Sequence, residues 1–303
     1  MTVGVVVMAY GTPRTPEDIE GYYTHIRRGR PPEPHQLADL VMRYDAIGGI
    51  SPLAQRTEAQ RAAIATNLGD GFTVVLGQKH AAPFVEDAIL SLVEQGVTSI
   101  VGLVLAPHYS RFSVGQYHER AIAALAEQPA DIGYHPIDAW HLEPAYLDFL
   151  TRAVADARAT LPAKHKVLFT AHSLPERVLV DDPYPDQLRE SAAEVAARVG
   201  LLPWPDWALG WQSAGRTPEP WRGPDILEII RDLGATGRSE GVLVCPQGFT
   251  SDHLEVLYDL DIEAARVAAE AGLAFARTRS LNDDATVMAA LAARVRAAAG
   301  VDA

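Results

Sequence analysis

Short runs of valine, isoleucine and leucine recur along this chain, and each gives way to a longer, alanine-rich stretch whose apolar positions return at helical spacing. Runs near 3–8, 73–77, 99–105 and 132–137 predict strands in the first half, and runs near 166–171, 207–211, 241–246 and 272–276 predict strands in the second. Strands that alternate with helices of this length are the pattern of βα units on a parallel sheet, so the chain is expected to be an α/β protein.

The two halves also resemble each other. VVVMAYGTP (5–13) matches VLFTAHSLP (167–175): an apolar strand, then Ala, then an aromatic or imidazole side chain, with Pro at the end. The second strands both end in Leu-Gly, at 76–77 and 209–210, and the third strands, in GLVLAPHYS (102–110) and GVLVCPQGF (241–249), are each stopped by Pro. Three matches in the same order favour two related α/β domains over one long sheet.

Ligands of open parallel sheets sit beyond the carboxyl ends of the strands. If the halves face each other, those ends border one cleft, with Tyr10 and His172 in equivalent places, each one residue past a strand-ending Ala. Glu255 follows the third strand of the second half and opens a helix toward the same cleft. It also begins a row, Glu255, Asp259 and Glu263, spaced four apart with no Lys or Arg between them. On a regular helix such a row drifts by roughly 40° per step, and like charges at this spacing are mildly destabilising. A π-type widening would cancel much of the drift, and such bulges occur at functional sites. The plain alternative is a solvated acidic face.

Composition narrows the choice. The chain has 303 residues, of which 48% are hydrophobic and 21% charged, enough for two domains with sizeable cores. A net charge of −13 argues against a nucleic-acid partner, and the local basic cluster HIRRGR (25–30), with Arg43 beyond it, stands out against that background. The N-terminal stretch MTVGVVVMAYGTP lacks a basic n-region and is too short to span a bilayer, so a cytoplasmic protein without an integral membrane segment is expected. One cysteine, Cys245, excludes an intramolecular disulfide and a cysteine-ligated iron–sulfur cluster, and its apolar setting suggests an inert core residue.

No dinucleotide fingerprint, P-loop or nucleophile elbow is present. Ser173 is conceivable as a nucleophile, but Leu174 and Pro175 give it no oxyanion-hole context. His80, His108 and His253 read as structural histidines. One His and one Glu are too few for a structural metal, for which three or four protein ligands are usual. They suit a metal in transit or a proton transfer.

The segments MAYGTP, YYTHIRRGRPPEP, RYDAIGGISPL, LAPHYSRFS, AHSLP, DPYPDQL, GWQSAGRTPEPWRGP and PQGFTSDHLEVLYD together resemble the ferrochelatase family, in order from Met8 to Asp259. The likeness is nearest to the short Gram-positive type that acts on coproporphyrin. The resemblance implies two Rossmann-like domains, each with a four-stranded parallel sheet flanked by helices, around a porphyrin cleft. One would comprise 1–140, completed by a C-terminal helix in 281–303, and the other 141–280 with His172 and Glu255. It implies insertion of Fe²⁺ into coproporphyrin III with release of two protons in heme biosynthesis. Protoporphyrin IX as substrate, another metal such as cobalt or nickel, and a binder that merely carries a tetrapyrrole are the alternatives.

By the same resemblance His172 and Glu255 deliver metal and accept pyrrole protons, and Tyr10 approaches the iron from the opposite face. Arg27, Arg43, Tyr44, Ser51 and Tyr117, with Tyr10, hold the porphyrin's carboxylates and rim. Asp259 and Glu263 extend the row into a route for metal or protons. Fe²⁺ is then a substrate, with no permanently bound cofactor and no iron–sulfur cluster. A monomer is expected, in transient contact with the enzyme that next processes coproheme.

Overall fold

The computed structural model describes residues 2–129, 131–215 and 217–301, so Arg216 of the GWQSAGRTPEPWRGP segment lies outside the described residues. The strands are β1 (Val3–Ala9), β2 (Phe72–Gln78), β3 (Ser99–Val104) and β4 (Gly133–Ile137), then β5 (His165–His172), β6 (Trp207–Gln212), β7 (Gly241–Cys245) and β8 (Ala274–Arg277). The helices are α1 (Ile19–Ile26), α2 (Pro34–Ala46), α3 (Leu53–Leu68), α4 (Val85–Glu94), α5 (Gln116–Ala126) and α6 (Pro144–Arg158), followed by α7 (Tyr184–Arg198), α8 (Ile226–Thr236), α9 (Leu254–Leu257), α10 (Ala265–Glu270) and α11 (Ala285–Ala298). Among the described residues no helix is long and apolar enough to cross a membrane.

The strands form two parallel four-stranded sheets of identical topology, β2-β1-β3-β4 and β6-β5-β7-β8. Both are flanked by helices, as the alternating pattern predicts. All residues of β1 and of β7 are buried, the condition of central strands covered on both faces. In this strand order the direction of winding reverses beside β1 and β5, and a crevice opens at the carboxyl ends of those strands.

The repeat read in the sequence has a structural basis. Met8 pairs with Gly77 as Thr170 pairs with Gly210. A Cβ at Gly77 would lie 3.1 Å from the Val85 Cα, and one at Gly210 would lie 2.8 Å from the Ile226 Cγ2. The repeated Leu-Gly therefore marks the place where the following helix, α4 or α8, comes close to its strand. The third-strand match is offset. Gly102 pairs with Val6, whereas Gly241 pairs with His165, the counterpart of Val3, so the equivalence runs from Gly102 to Val244 instead of Gly241. A run buried on both faces carries no in–out alternation to mark its register, which explains why sequence alone misplaces it.

A large apolar cluster joins the halves. It includes Val5 and Val7 of β1, Phe149 of α6, Phe169 of β5, and Val287 and Leu291 of α11. Within it Trp140 and Tyr146 meet edge to face at 5.2 Å; the Trp140 indole donates to the Val104 carbonyl, and the Tyr146 hydroxyl donates to that of Gln247. Full burial of each large apolar side chain contributes about 1.5–3 kcal/mol, and here it also fixes one wall of the crevice against the other. The C-terminal helix α11 lies on α3, where Arg296 donates to the carbonyls of Asn67 and Leu68.

Candidate functional site

The carboxyl ends of β5 and β7 bring His172 and Glu255 together, with His172 Nε2 3.7 Å from Glu255 Oε2. The His172 Nδ1–H donates to the Ser173 carbonyl, and that bond fixes the tautomer. In the neutral ring Nε2 then carries a lone pair aimed at a carboxylate oxygen. His253 repeats the arrangement: Nδ1–H donates to the Ser251 carbonyl at 3.0 Å, and Nε2 lies 3.8 Å from the same Glu255 Oε2. Three acceptors facing one another repel unless a proton or a cation lies among them. Burial acts to raise the Glu255 carboxyl, but the positive charge of His172 and His253 when their imidazoles are protonated, with hydrogen bonds from His253 and the Ser213 hydroxyl, outweighs it and brings its pKa down to about 2. Among the described residues no group of three or more His, Cys, Asp or Glu side chains could hold a metal ion.

Beyond Glu255 the helix widens into a π turn, Asp259–Ala264. The Tyr258 carbonyl accepts from both Ile262 N at 3.3 Å and Glu263 N at 2.9 Å, the second being the i+5 bond that defines the widening. Asp259, 8% exposed, accepts from the Ser213 hydroxyl at 2.5 Å and lies 3.4 Å from an Arg43 nitrogen. Burial and then the charge on Glu255 push its pKa up to about 6, against the pull of Ser213 and Arg43. Glu263 is half-buried, and its charge adds to the same upward push. The inner two carboxyls of the row are thus driven in opposite directions.

Tyr10 lies one residue past the end of β1 in the first half. It is 44% exposed, and its ring lies 4.6 Å from that of His80. Its phenol is pushed upward by its surroundings and next by the charge on Glu255. His80 in turn meets His25, Nδ1 to Nδ1 at 3.0 Å. Tyr44 is buried, its hydroxyl 3.5 Å from that of Thr12. Ser51 is also buried and accepts from Leu53 N at the start of α3. Tyr117 is buried in the core of the first half, with Lys79 Nζ 5.2 Å from its ring centre. Arg27 stands over the Tyr23 ring and donates to the Arg30 carbonyl; no carboxylate is recorded on it among the described residues. Met42 and Ile50 are exposed apolar side chains, and the Met42 Sδ lies 3.8 Å from the Tyr258 hydroxyl.

The model of the ferrochelatase family matches residues 2–299. The chain belongs to the ferrochelatase family. It is 45% identical over 291 residues to a coproporphyrin III ferrochelatase of Halalkalibacterium halodurans, covering 92% of each chain. It is 43% identical to that of Geobacillus kaustophilus, covering 97% of this chain and 95% of the relative. In fold it is similar to SirB from Bacillus subtilis, with a TM-score of 0.58, 14% identity and coverage of 99% of this chain and 96% of the other.

Three neighbours of the row in this ferrochelatase were not singled out by sequence reasoning as part of the site. His253 reads as structural, yet it shares Glu255 with His172; its position two residues before Glu255 was the available signal. Ser213 has φ of 58°, a left-handed backbone uncommon for a side-chain-bearing residue, just past the end of β6. Gln212, before it, donates to the Glu255 carbonyl at 3.1 Å. The side chains of the other candidates are engaged elsewhere. Ser173 is buried and donates to the Arg222 carbonyl, His108 is buried against Ser191, and burial pushes the Cys245 thiol up to about 12.

One glycine holds this site in register. A Cβ on Gly248 would stand 2.5 Å from the Ala171 Cβ and 2.9 Å from its Cα, and Ala171 directly precedes His172. Overpacking at such a contact costs about 1–3 kcal/mol. Gly248→Ala is therefore expected to lower the melting temperature and to reduce kcat by displacing His172, with porphyrin affinity retained. An unchanged melting temperature and kcat would show that the strand end yields freely.

Proposed function

We propose that this ferrochelatase inserts Fe²⁺ into coproporphyrin III, releasing two protons and giving coproheme in heme biosynthesis. The observation that carries the reading is the convergence of the His172 and His253 Nε2 atoms on Glu255. Relatives named coproporphyrin III ferrochelatase, matched over nearly the whole chain, support the choice of ring.

A free-base porphyrin presents two weakly acidic pyrrole N–H groups and a planar ring. Metal insertion requires their lone pairs to be exposed and two protons to leave as Fe²⁺ enters, so the ring gains no net charge. His172 supplies a neutral Nε2 lone pair as proton acceptor. Glu255, a carboxylate on which two imidazole Nε2 atoms converge, is an oxygen ligand suited to handing Fe²⁺ to the ring. Asp259, near pKa 6, changes charge close to neutrality and suits a relay between Glu255 and the outer Glu263. Tyr10 meets the other face of the ring, and Arg27 and Arg43 take its carboxylates, with Tyr44, Ser51 and Tyr117 behind the rim. Fe²⁺ is a substrate in this scheme, and no resident cofactor is invoked.

The direct test is spectral. Purified protein mixed with Fe²⁺ and coproporphyrin III under anaerobic conditions should convert the free-base spectrum to that of the iron complex with turnover; stoichiometric binding without conversion would identify a carrier instead. Glu263→Gln, at the outer end of the row, is expected to raise the KM for Fe²⁺ several-fold while leaving that for coproporphyrin nearly unchanged. A larger effect on the porphyrin KM would count against the metal route.

A further inference from the structure

Arg43 stands where the carboxylate-binding side of the crevice meets the acidic row. It projects from the last turn of α2, with Nη1 3.4 Å from Asp259 Oδ1 in the other half of the molecule and Nε 3.3 Å from Asp39 Oδ2 on its own helix. Neither contact is tight. Strong charge-assisted N–H···O⁻ bonds are shorter, about 2.7–2.9 Å, and the buried Nε makes no hydrogen bond. The Tyr258 ring lies 4.9 Å from the guanidinium carbon, and 27% of the side chain remains open to solvent. Asp259, by contrast, is anchored independently through its other oxygen by Ser213 at 2.5 Å.

We propose that Arg43 couples the two substrates: a ring carboxylate that takes its guanidinium draws it from Asp259, and the acidic row thereby becomes able to accept a divalent cation. The inference rests on the reading of Arg43 as a carboxylate contact. Before the ring is seated, a cation approaching Asp259 meets a guanidinium already beside it. Once a porphyrin carboxylate engages that guanidinium, the row of Glu255, Asp259 and Glu263 recovers the negative charge that Arg43 had offset, while Ser213 keeps Asp259 in place. Iron is then admitted mainly when the ring that will receive it is seated. By linkage a cation on the row strengthens ring binding by the same factor.

The experiment uses the full chain, Mn²⁺ as the cation, and coproporphyrin III already holding zinc, so that the ring cannot take up the probe. Free Mn²⁺ is followed by its electron paramagnetic resonance signal. Wild type should bind Mn²⁺ more tightly with the zinc ring present, by a factor within the roughly 5- to 150-fold range of ordinary coupling. In Arg43→Gln the ring-free affinity should rise to the ring-bound level and the ratio should fall to about one. In Asp259→Asn the ring-dependent gain should vanish. A wild-type ratio of one, including no Mn²⁺ binding in either state, would overturn the coupling. So would a wild-type ratio in Arg43→Gln, or a gain that survives Asp259→Asn and so belongs to the ring's own carboxylates. Unchanged affinity of Arg43→Gln for the zinc ring would remove the carboxylate reading itself; weakened ring binding with an intact Mn²⁺ ratio would remove the coupling alone.

Discussion

His172→Ala should abolish iron insertion while leaving coproporphyrin III affinity within about tenfold of wild type, or 1.4 kcal/mol. The imidazole stands at the carboxyl end of β5 facing Glu255, so its loss removes the proton acceptor and one of the two nitrogens that converge on that carboxylate. General base catalysis alone is worth about 10²–10⁴-fold, and the absence of an iron-guiding nitrogen adds to the loss. Folding should be little affected, because the side chain keeps 36% of its surface exposed and bonds only locally to the Ser173 carbonyl. Anaerobic absorbance assays give the rate and fluorescence quenching gives the affinity. Near wild-type insertion would sink the role of His172, and a porphyrin affinity reduced a hundredfold would move it from the reaction centre to the binding surface.

The second large effect concerns the ring. Coproporphyrin III, with four propionates, should be preferred over protoporphyrin IX, with two propionates and two vinyls, on the order of a hundredfold in kcat/KM. Hydrogen bonds to charged groups are worth about 1.5–3 kcal/mol each, and guanidinium meets carboxylate in a fixed two-point geometry. Both candidate donors are half-buried, where such contacts are only partly screened. The alternative is that Arg27 and Arg28 form exposed bridges to acidic neighbours such as Glu33 or Asp39; Asp39 lies beside Arg43. Arg43 must be drawn from Asp259, so Arg27→Ala should cost coproporphyrin turnover more than Arg43→Ala does. Kinetics with both porphyrins on wild type and the two variants decide the matter. Equal kcat/KM for the two rings in wild type, or no selective loss for coproporphyrin in either variant, would remove the basis for naming that substrate.

Much of this molecule is legible in one dimension because its signals are local. β-branched runs buried on both faces mark the strands to within one or two residues, as the prediction of 3–8 and the observed Val3–Ala9 illustrate. The repeat of a strand followed by Ala and a chemistry-bearing side chain places Tyr10 and His172 at equivalent strand ends. The spacing of Glu255, Asp259 and Glu263 calls for a widened turn, and Asp259–Ala264 is π-helical. Leu-Gly at 76–77 and 209–210 announces two close helix approaches that only a missing Cβ permits.

What the tertiary structure alone decides is which of these local features meet, since periodicity carries no information about contacts made across a cleft. The offset between Gly102 and Gly241 is invisible because a strand covered on both sides has no polar face to fix its register. The pairing of Arg43 with Asp259 spans 216 positions and exists only because the two sheets share one apolar core. His253 looks like a loop residue until its Nδ1 is bound to the Ser251 carbonyl and its Nε2 is thereby turned toward Glu255. Ser213 reaches Asp259 from a left-handed backbone at the end of β6, a conformation that the sequence GWQSAG does not advertise and that the surrounding fold imposes.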